Sequence, residues 1–174
     1  MALALILDGV LGDPVWFPHP VVGFGKLIKW IEDRIYDPSD DQGTQYKKGV
    51  LLILTLTLAA AVPTALLMIF TRGMIKFIIM TLLFWLTLSM KTMGKEAKLV
   101  ADRLEFGSLN EARTQLARIV GRDTARLSES EVAKACIESV AESTSDGIIA
   151  PMRWGLLLGP VGAMVYKAVN TLDS

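Results

Sequence analysis

A single cysteine, Cys136, and a single histidine, His19, occur in the 174 residues of this chain. One thiol excludes a disulfide within the chain, and the two side chains together are too few soft ligands for a typical zinc site. Neither sign of charge is in excess: 18 Lys and Arg stand against 18 Asp and Glu. No net field is therefore available to gather nucleic acid, and no nucleic-acid partner is expected. The chain contains no G-x-x-x-x-G-K-[ST], no G-x-G-x-x-G and no G-x-S-x-G. A P-loop NTPase, a simple dinucleotide enzyme and an α/β-hydrolase thus lack their usual signatures. There is no internal repeat and no low-complexity tract. The opening MALALILDGVLGDP lacks a basic n-region and meets Asp8 after seven residues, so a cleaved leader is not expected.

What the chain has instead is apolar sequence: 52% of its residues are hydrophobic, and the mean hydropathy is +0.43. Between Lys48 and Arg72 lie 23 residues without a charge, more than the ~20 that a helix needs to cross the hydrocarbon core. Pro63 falls inside this run and is expected to kink the helix rather than end it. A second run, residues 73 to 90, is interrupted only by Lys76, whose stem can lie in the apolar layer while its ammonium reaches the interface. The two predict a transmembrane hairpin over residues 49 to 90, turning at Arg72 and Gly73. Lys47 and Lys48 precede it, and Lys91, Lys95 and Lys98 follow it. The positive-inside rule then places both flanks in the cytoplasm. The expected fold class is all-α: a polytopic helical protein of the cytoplasmic membrane with cytoplasmic helical segments.

Phe24, Leu27, Ile28, Ile31 and Ile35 recur at helical spacing, which suits an amphipathic helix on protein or at the interface, with packing as the favoured role. Residues 37 to 46 are turn-rich and are expected to be a connecting loop. Ala97, Val100, Ala101 and Leu104 define a helix that should stop near Gly107. Ser108 with Glu111 and Ser128 with Glu131 each fit an S-x-x-E capping box, which predicts helices over about 109 to 120 and 129 to 143. From Gly147 to Tyr166 only Arg153 is charged, yet Pro151, Gly155, Gly159, Pro160 and Gly162 argue against one straight spanning helix. A re-entrant or interfacial element beside a binding site is one reading, and a helix with an extended linker is the other.

Glu138 and Glu142 share a helix face and Asp146 follows past the expected helix end, so the three are candidate ligands for magnesium. The alternative is an exposed acidic face. Arg122 and Asp123 occupy a glycine-led turn, where the guanidinium can bind phosphate and the aspartate can cap the next segment. Lys167, Asn170 and Asp173 follow the broken apolar segment. Lys167 can neutralise a transferring phosphate or snorkel from a helix end. Asp13 and His19 lie in a proline-rigidified stretch, where a lone histidine is more often packed or capping than a ligand.

LDGVLGDPVWFPHPVVGFG (7 to 25), ARTQLARIVGRDTARL (112 to 127) and IESVAESTSDGIIAPMRWGLLLGPVGAMVYKAVNTLDS (137 to 174), in this order around an apolar hairpin, resemble the adenosylcobinamide-phosphate synthase family of cobalamin assembly. The resemblance covers its N-terminal part. One departure is Ser143, where the family pattern has asparagine. Relatives continue beyond NTLDS, so residues 1 to 174 are expected to be one family domain, truncated at its C-terminus.

The resemblance implies amide formation between the propionate of cobyric acid and (R)-1-amino-2-propanol or its O-phosphate, giving cobinamide or its phosphate. A carboxylate does not condense with an amine at neutral pH, so ATP and magnesium are implied as co-reactants. On that reading Glu138, Glu142 and Asp146 are candidates for Mg–ATP, and Arg122 and Lys167 for phosphate. The competing class is a non-catalytic membrane scaffold or corrinoid transport-associated subunit. Other cobalamin-assembly enzymes are candidate partners.

Overall fold

Both capping boxes form. Ser108 and Ser128 accept from the amides of Glu111 and Glu131, and each glutamate returns a bond to its serine's amide. They open two of the eight helices seen in a computed structural model that describes residues 1–13 and 19–173. The helices are α1 (Ala2–Leu11), α2 (Pro20–Ile35), α3 (Gln42–Phe70), α4 (Gly73–Trp85), α5 (Met90–Phe106), α6 (Leu109–Leu116), α7 (Glu129–Thr144) and α8 (Ala150–Asp173). A π-helical turn, Ser145–Ile149, joins α7 to α8. There is no strand among the described residues. Pro14 and Pro18 of the N-terminal signature lie outside them.

By length and composition three helical stretches can cross a membrane: Gln42–Phe70, Gly73–Phe106 and Glu129–Asp173. The chain is thus a polytopic helical membrane protein. α3 and α4 are the expected hairpin, linked through Thr71 and Arg72. The outward faces of both helices are apolar: Leu58, Ile69, Phe70, Met74 and Ile75 are all exposed, as a lipid solvent permits. α3 runs unbroken through Pro63.

Three boundaries differ from expectation. The loop after α2 is shorter, because Asp41 caps a helix that begins at Gln42: its carboxylate accepts from the amides of Gly43 and Thr44. The second arm of the hairpin ends at Trp85, and a tight turn follows in which the amides of Thr87 and Leu88 donate to Phe84 and Trp85. α6 stops at Leu116, after which the amides of Arg118 and Ile119 bond only three residues back. α5 ends before Gly107, as its pattern requires.

The apolar segment after Gly147 is helical rather than an extended linker, but it is not straight. Gly159 has φ 65 and ψ −160, a conformation essentially reserved for glycine, and Pro160 follows it without an amide to continue the ladder. The chain reverses here. The Tyr166 hydroxyl donates to Asp146 Oδ1 at 3.1 Å and the Asn170 amide to Asp146 Oδ2 at 3.4 Å, whereas twenty residues of straight helix would hold Asp146 and Tyr166 ~30 Å apart. A Cβ at Gly162 would stand 2.5 Å from the carbonyl oxygen of Trp154, so the two arms touch near the apex.

Ile53 of α3 faces the same cavity as Tyr166, Val169 and Asn170, and Leu52, Leu56 and Ala60 share a core with Met164 and Ala168. The returning arm therefore descends beside α3. Its apex reaches the height of roughly residue 63, short of the link at Thr71, given the equal rise of the two helices. α8 is thus a helical hairpin folded back at Gly159, not a helix with an extended linker.

On the polar side, α5, α6 and α7 pack around Val100, Ala112, Leu116, Val132 and Ala135. Hydrogen bonds join this body to the apolar one. The Ser89 amide donates to the Gly147 carbonyl at 3.2 Å, and Asp8 Oδ2 accepts the amides of Met90 at 2.9 Å and Lys91 at 3.3 Å. Asp8 is fully buried and serves as a cap for α5 supplied by another helix.

Candidate functional site

The open end of the α8 hairpin meets the start of α5 and the end of α7, and a cleft of about 410 Å³ lies there. Glu142, Ser143 and Ser139 of α7 line it, with Asp146 and Gly147 of the π-helical turn, Lys167, Asn170 and Asp173 of the returning arm, and Ser89. Five residues singled out from sequence, Glu142, Asp146, Lys167, Asn170 and Asp173, thus converge although they span 32 positions. The fold-back at Gly159 brings them together.

Asp146 is the best anchored of these, because Tyr166 and Asn170 each hold one of its oxygens. Each carboxylate oxygen can accept a second partner, so both keep capacity for a ligand. Lys167 is half-buried and within electrostatic reach of Asp8, Asp13 and Asp146. Lys167 lines the cleft wall within reach of these negative charges.

Arg122 and Glu138 go elsewhere. Arg122 Nη2 contacts Glu138 Oε2 at 2.6 Å, and both line a neighbouring cleft of about 260 Å³ that shares Ile119, Gly121, Ser139 and Glu142 with the first. Glu138 is therefore taken up by an ion pair. Among the described residues no group of three or more His, Cys, Asp or Glu side chains converges as a metal site. Of the expected set Glu138, Glu142 and Asp146, helical spacing puts the first two on one face, and here Glu138 pairs with Arg122 while Glu142 and Asp146 line the larger cleft. Asp123 is exposed and accepts from the amide of Ala125 at 2.9 Å, a local turn that takes up one of its oxygens.

His19 caps α2, its Nδ1 accepting the Val21 amide at 3.3 Å. The neutral ring then carries its proton on Nε2, which points toward Asp13 Oδ1 at 3.7 Å. Burial holds the His19 imidazole below its usual pKa, with the Lys167 charge adding to the effect and Asp13 opposing it. Asp13 donates its own amide to Thr92 Oγ1 at 3.2 Å. Both residues lie within electrostatic reach of Lys167, though neither lines the cleft.

Sequence reasoning missed Ser89, Ser139 and Tyr166 as parts of this assembly, and Asp8 as its brace. Asp8 left one signal, as the sole charge in an otherwise apolar helix, a position where ionisable groups are expensive.

The model of the family described as CobD/Cbib protein matches residues 1–174. The chain is similar to the "Cobalamin biosynthesis protein CobD" of Pelobacter propionicus, 44% identical over 178 residues, covering 100% of this chain and 54% of that protein. Proteins of the same name from Listeria monocytogenes and Halalkalibacterium halodurans are 41% and 44% identical, each match covering 98% of this chain and 55% and 53% of those proteins. The chain spans about half the length of the curated relatives it matches. No solved structure matches it. With the matched residues running from Met1 to Ser174, this chain belongs to the CobD/Cbib family.

Proposed function

We propose that this chain takes part in cobalamin biosynthesis as the N-terminal part of a membrane-embedded ligase that joins the propionate of cobyric acid to aminopropanol or its O-phosphate. The observation that carries this reading is the convergence of Glu142, Asp146, Lys167, Asn170 and Asp173 on one polar cleft.

The chemistry sets what the cleft must do. The propionate carboxylate takes a phosphoryl group from ATP, releasing ADP. The amine then attacks the acyl carbon, expels phosphate and loses a proton to give the amide. Negative charge builds on phosphoryl and carboxyl oxygens in both steps, and Lys167 stands where it can offset that charge. The donors in the cleft are hard oxygens, which suit magnesium better than a softer metal. Magnesium usually takes one or two carboxylates and completes its shell with water and phosphate, so Glu142 and Asp146 fit that number. Bound there, it would neutralise phosphoryl oxygens. Tyr166 and Asn170 fix the orientation of the Asp146 carboxylate, and Ser89, Ser139 and Ser143 supply hydroxyls to the rim.

The cleft opens, on this reading, to the cytoplasm, where ATP is available, in line with the lysines that flank the hairpin. Single cysteines near Arg72 and near Ala112, labelled in intact cells with an impermeant thiol reagent, check this. Labelling of the second alone reverses the orientation.

Rescue of a strain that needs this amidation, with cobyric acid supplied, tests the reading itself. The chain extended with the C-terminal half of a relative should rescue growth, and Glu142→Gln or Lys167→Ala should abolish rescue at matched protein level. A scaffold would tolerate both substitutions, and undiminished growth with either counts against the ligase.

A further inference from the structure

We infer that α2 is an interfacial helix lying in the headgroup layer of the bilayer, with the face that carries Val22, Lys26, Lys29 and Trp30 in contact with lipid. The case begins with the heights of its two ends. At its start His19 stands 3.7 Å from Asp13, whose amide is bonded to Thr92 of α5, on the polar side of the Ser89–Gly147 contact. At its end Glu32, Ile35 and Tyr36 share a cavity with Lys48, Gly49 and Leu52, where the uncharged run of α3 begins. Both ends therefore sit at the boundary of the apolar layer, although the 16-residue helix is ~24 Å long. A helix of that length rising along the membrane normal would put His19 most of the way across a ~30 Å core.

The faces agree with this placement. Phe24 and Ile31 are buried against Leu52, Leu56 and Ala60 of α3 and Met164 and Ala168 of α8, with Leu27, Ile28 and Ile35 at the edge. On the outer side Val22 and Trp30 are more than half exposed, Lys26 and Lys29 are exposed, and the Arg34 guanidinium lies 3.8 Å over the Trp30 ring. Tyr36 and Tyr46, at 68% and 75% exposure, continue the aromatic row where α2 passes to α3. Aromatic rings and basic side chains mixed on one face suit the headgroup layer, where a ring can sit in the acyl boundary while a cation meets phosphate. Just toward the bilayer centre Leu51, Leu54 and Leu58 of α3 present bare apolar surface, so the occupant of the α2 face is continuous with the lipid that covers α3.

Spin-label depth measurements in the 174-residue chain, reconstituted in vesicles of phosphatidylcholine and phosphatidylglycerol at 3:1, test this placement. In a Cys136→Ser background, single labels would be placed at Val22→Cys, Lys26→Cys, Lys29→Cys and Asp33→Cys, with Leu58→Cys and Val62→Cys on α3 as depth references. Power saturation with oxygen and a nickel chelate then reports depth. The four α2 sites should share one shallow depth, within roughly 5–10 Å of the headgroups, with Val62 clearly deeper. Depth increasing steadily from Asp33 to Val22 overturns the proposal, because it means a spanning helix. Full access to the nickel chelate at all four sites, or access to neither probe, overturns it equally, since the face would then meet water or protein. Should Cys136→Ser fail to fold, Cys136→Ala serves as the background.

Discussion

The hydroxyl of Tyr166 lies 3.1 Å from Asp146 Oδ1 across twenty positions of sequence, and this bond closes the open end of the α8 hairpin beside the cleft. Tyr166→Phe removes it while Asn170 still holds the other oxygen. The expected cost is ~1 kcal/mol of stability, seen as a modest fall in the thermal midpoint in detergent. Asp146→Ala removes the shared acceptor of both bonds and should cost more. Equal midpoints for the two variants would mean that the bonds do not hold the hairpin.

Gly159 is the pivot of that hairpin. Its φ of 65 and ψ of −160 place it in a region that carries ~1–3 kcal/mol of strain for other residues. Gly159→Ala should therefore destabilise the chain by about that amount, whereas an alanine at the half-buried Gly25, where a Cβ would meet nothing within 4 Å, should have little effect. Thermal unfolding of the two variants side by side gives the comparison.

Asp8 caps α5 from a different helix, so its loss should loosen the joint between the two bodies. Asp8→Asn keeps an acceptor oxygen for the Met90 amide, and Asp8→Ala keeps none. An N-cap lost to alanine costs ~0.5–2 kcal/mol, and hydrogen exchange at the first turn of α5 should speed up more in the alanine variant than in the asparagine one. The reverse order would contradict the capping role.

His19 makes stability depend on pH. Burial holds its folded pKa below the usual 6.5, so the unfolded chain binds the proton more readily. Its stabilising contribution is complete above pH 6.5 and is lost as the pH falls through the folded value. The thermal midpoint should drop on acidification below neutrality. His19→Asn retains a good capping side chain without a titrating ring, and it should flatten that slope. An unchanged slope in the variant would assign the pH dependence to another group.

Much of the fold is legible in the sequence because its signals are local. The uncharged run after Lys48 and the two S-x-x-E boxes need no distant partner to act, and both gave helices where their patterns placed them. Boundaries failed where short-range hydrogen bonding outweighs composition. Asp41 turns the polar tract into a helix start, and three-residue bonding after Leu116 ends α6 early. The site is half legible: Glu142, Asp146, Lys167, Asn170 and Asp173 stand out as polar groups around an apolar segment, but their convergence depends on one backbone reversal. Glycine and proline mark Gly159 as a break without giving its direction. Glu138 shows the converse. Spacing placed it beside Glu142, and only the folded chain reveals that Arg122 claims it.

Amide formation in vitro is the most direct test of the cleft as a ligase site. Membranes containing the chain extended with the C-terminal half of a relative would be incubated with cobyric acid, ATP, magnesium and either aminopropanol or its O-phosphate, and the corrinoid products identified by mass. The expected result is ATP-dependent amide product with one of the two amines, and a loss of at least ~100-fold, ~2.7 kcal/mol of transition-state stabilisation, in Lys167→Ala and Glu142→Gln. Product formed at the same rate in both variants, or formed without ATP, would contradict the assignment.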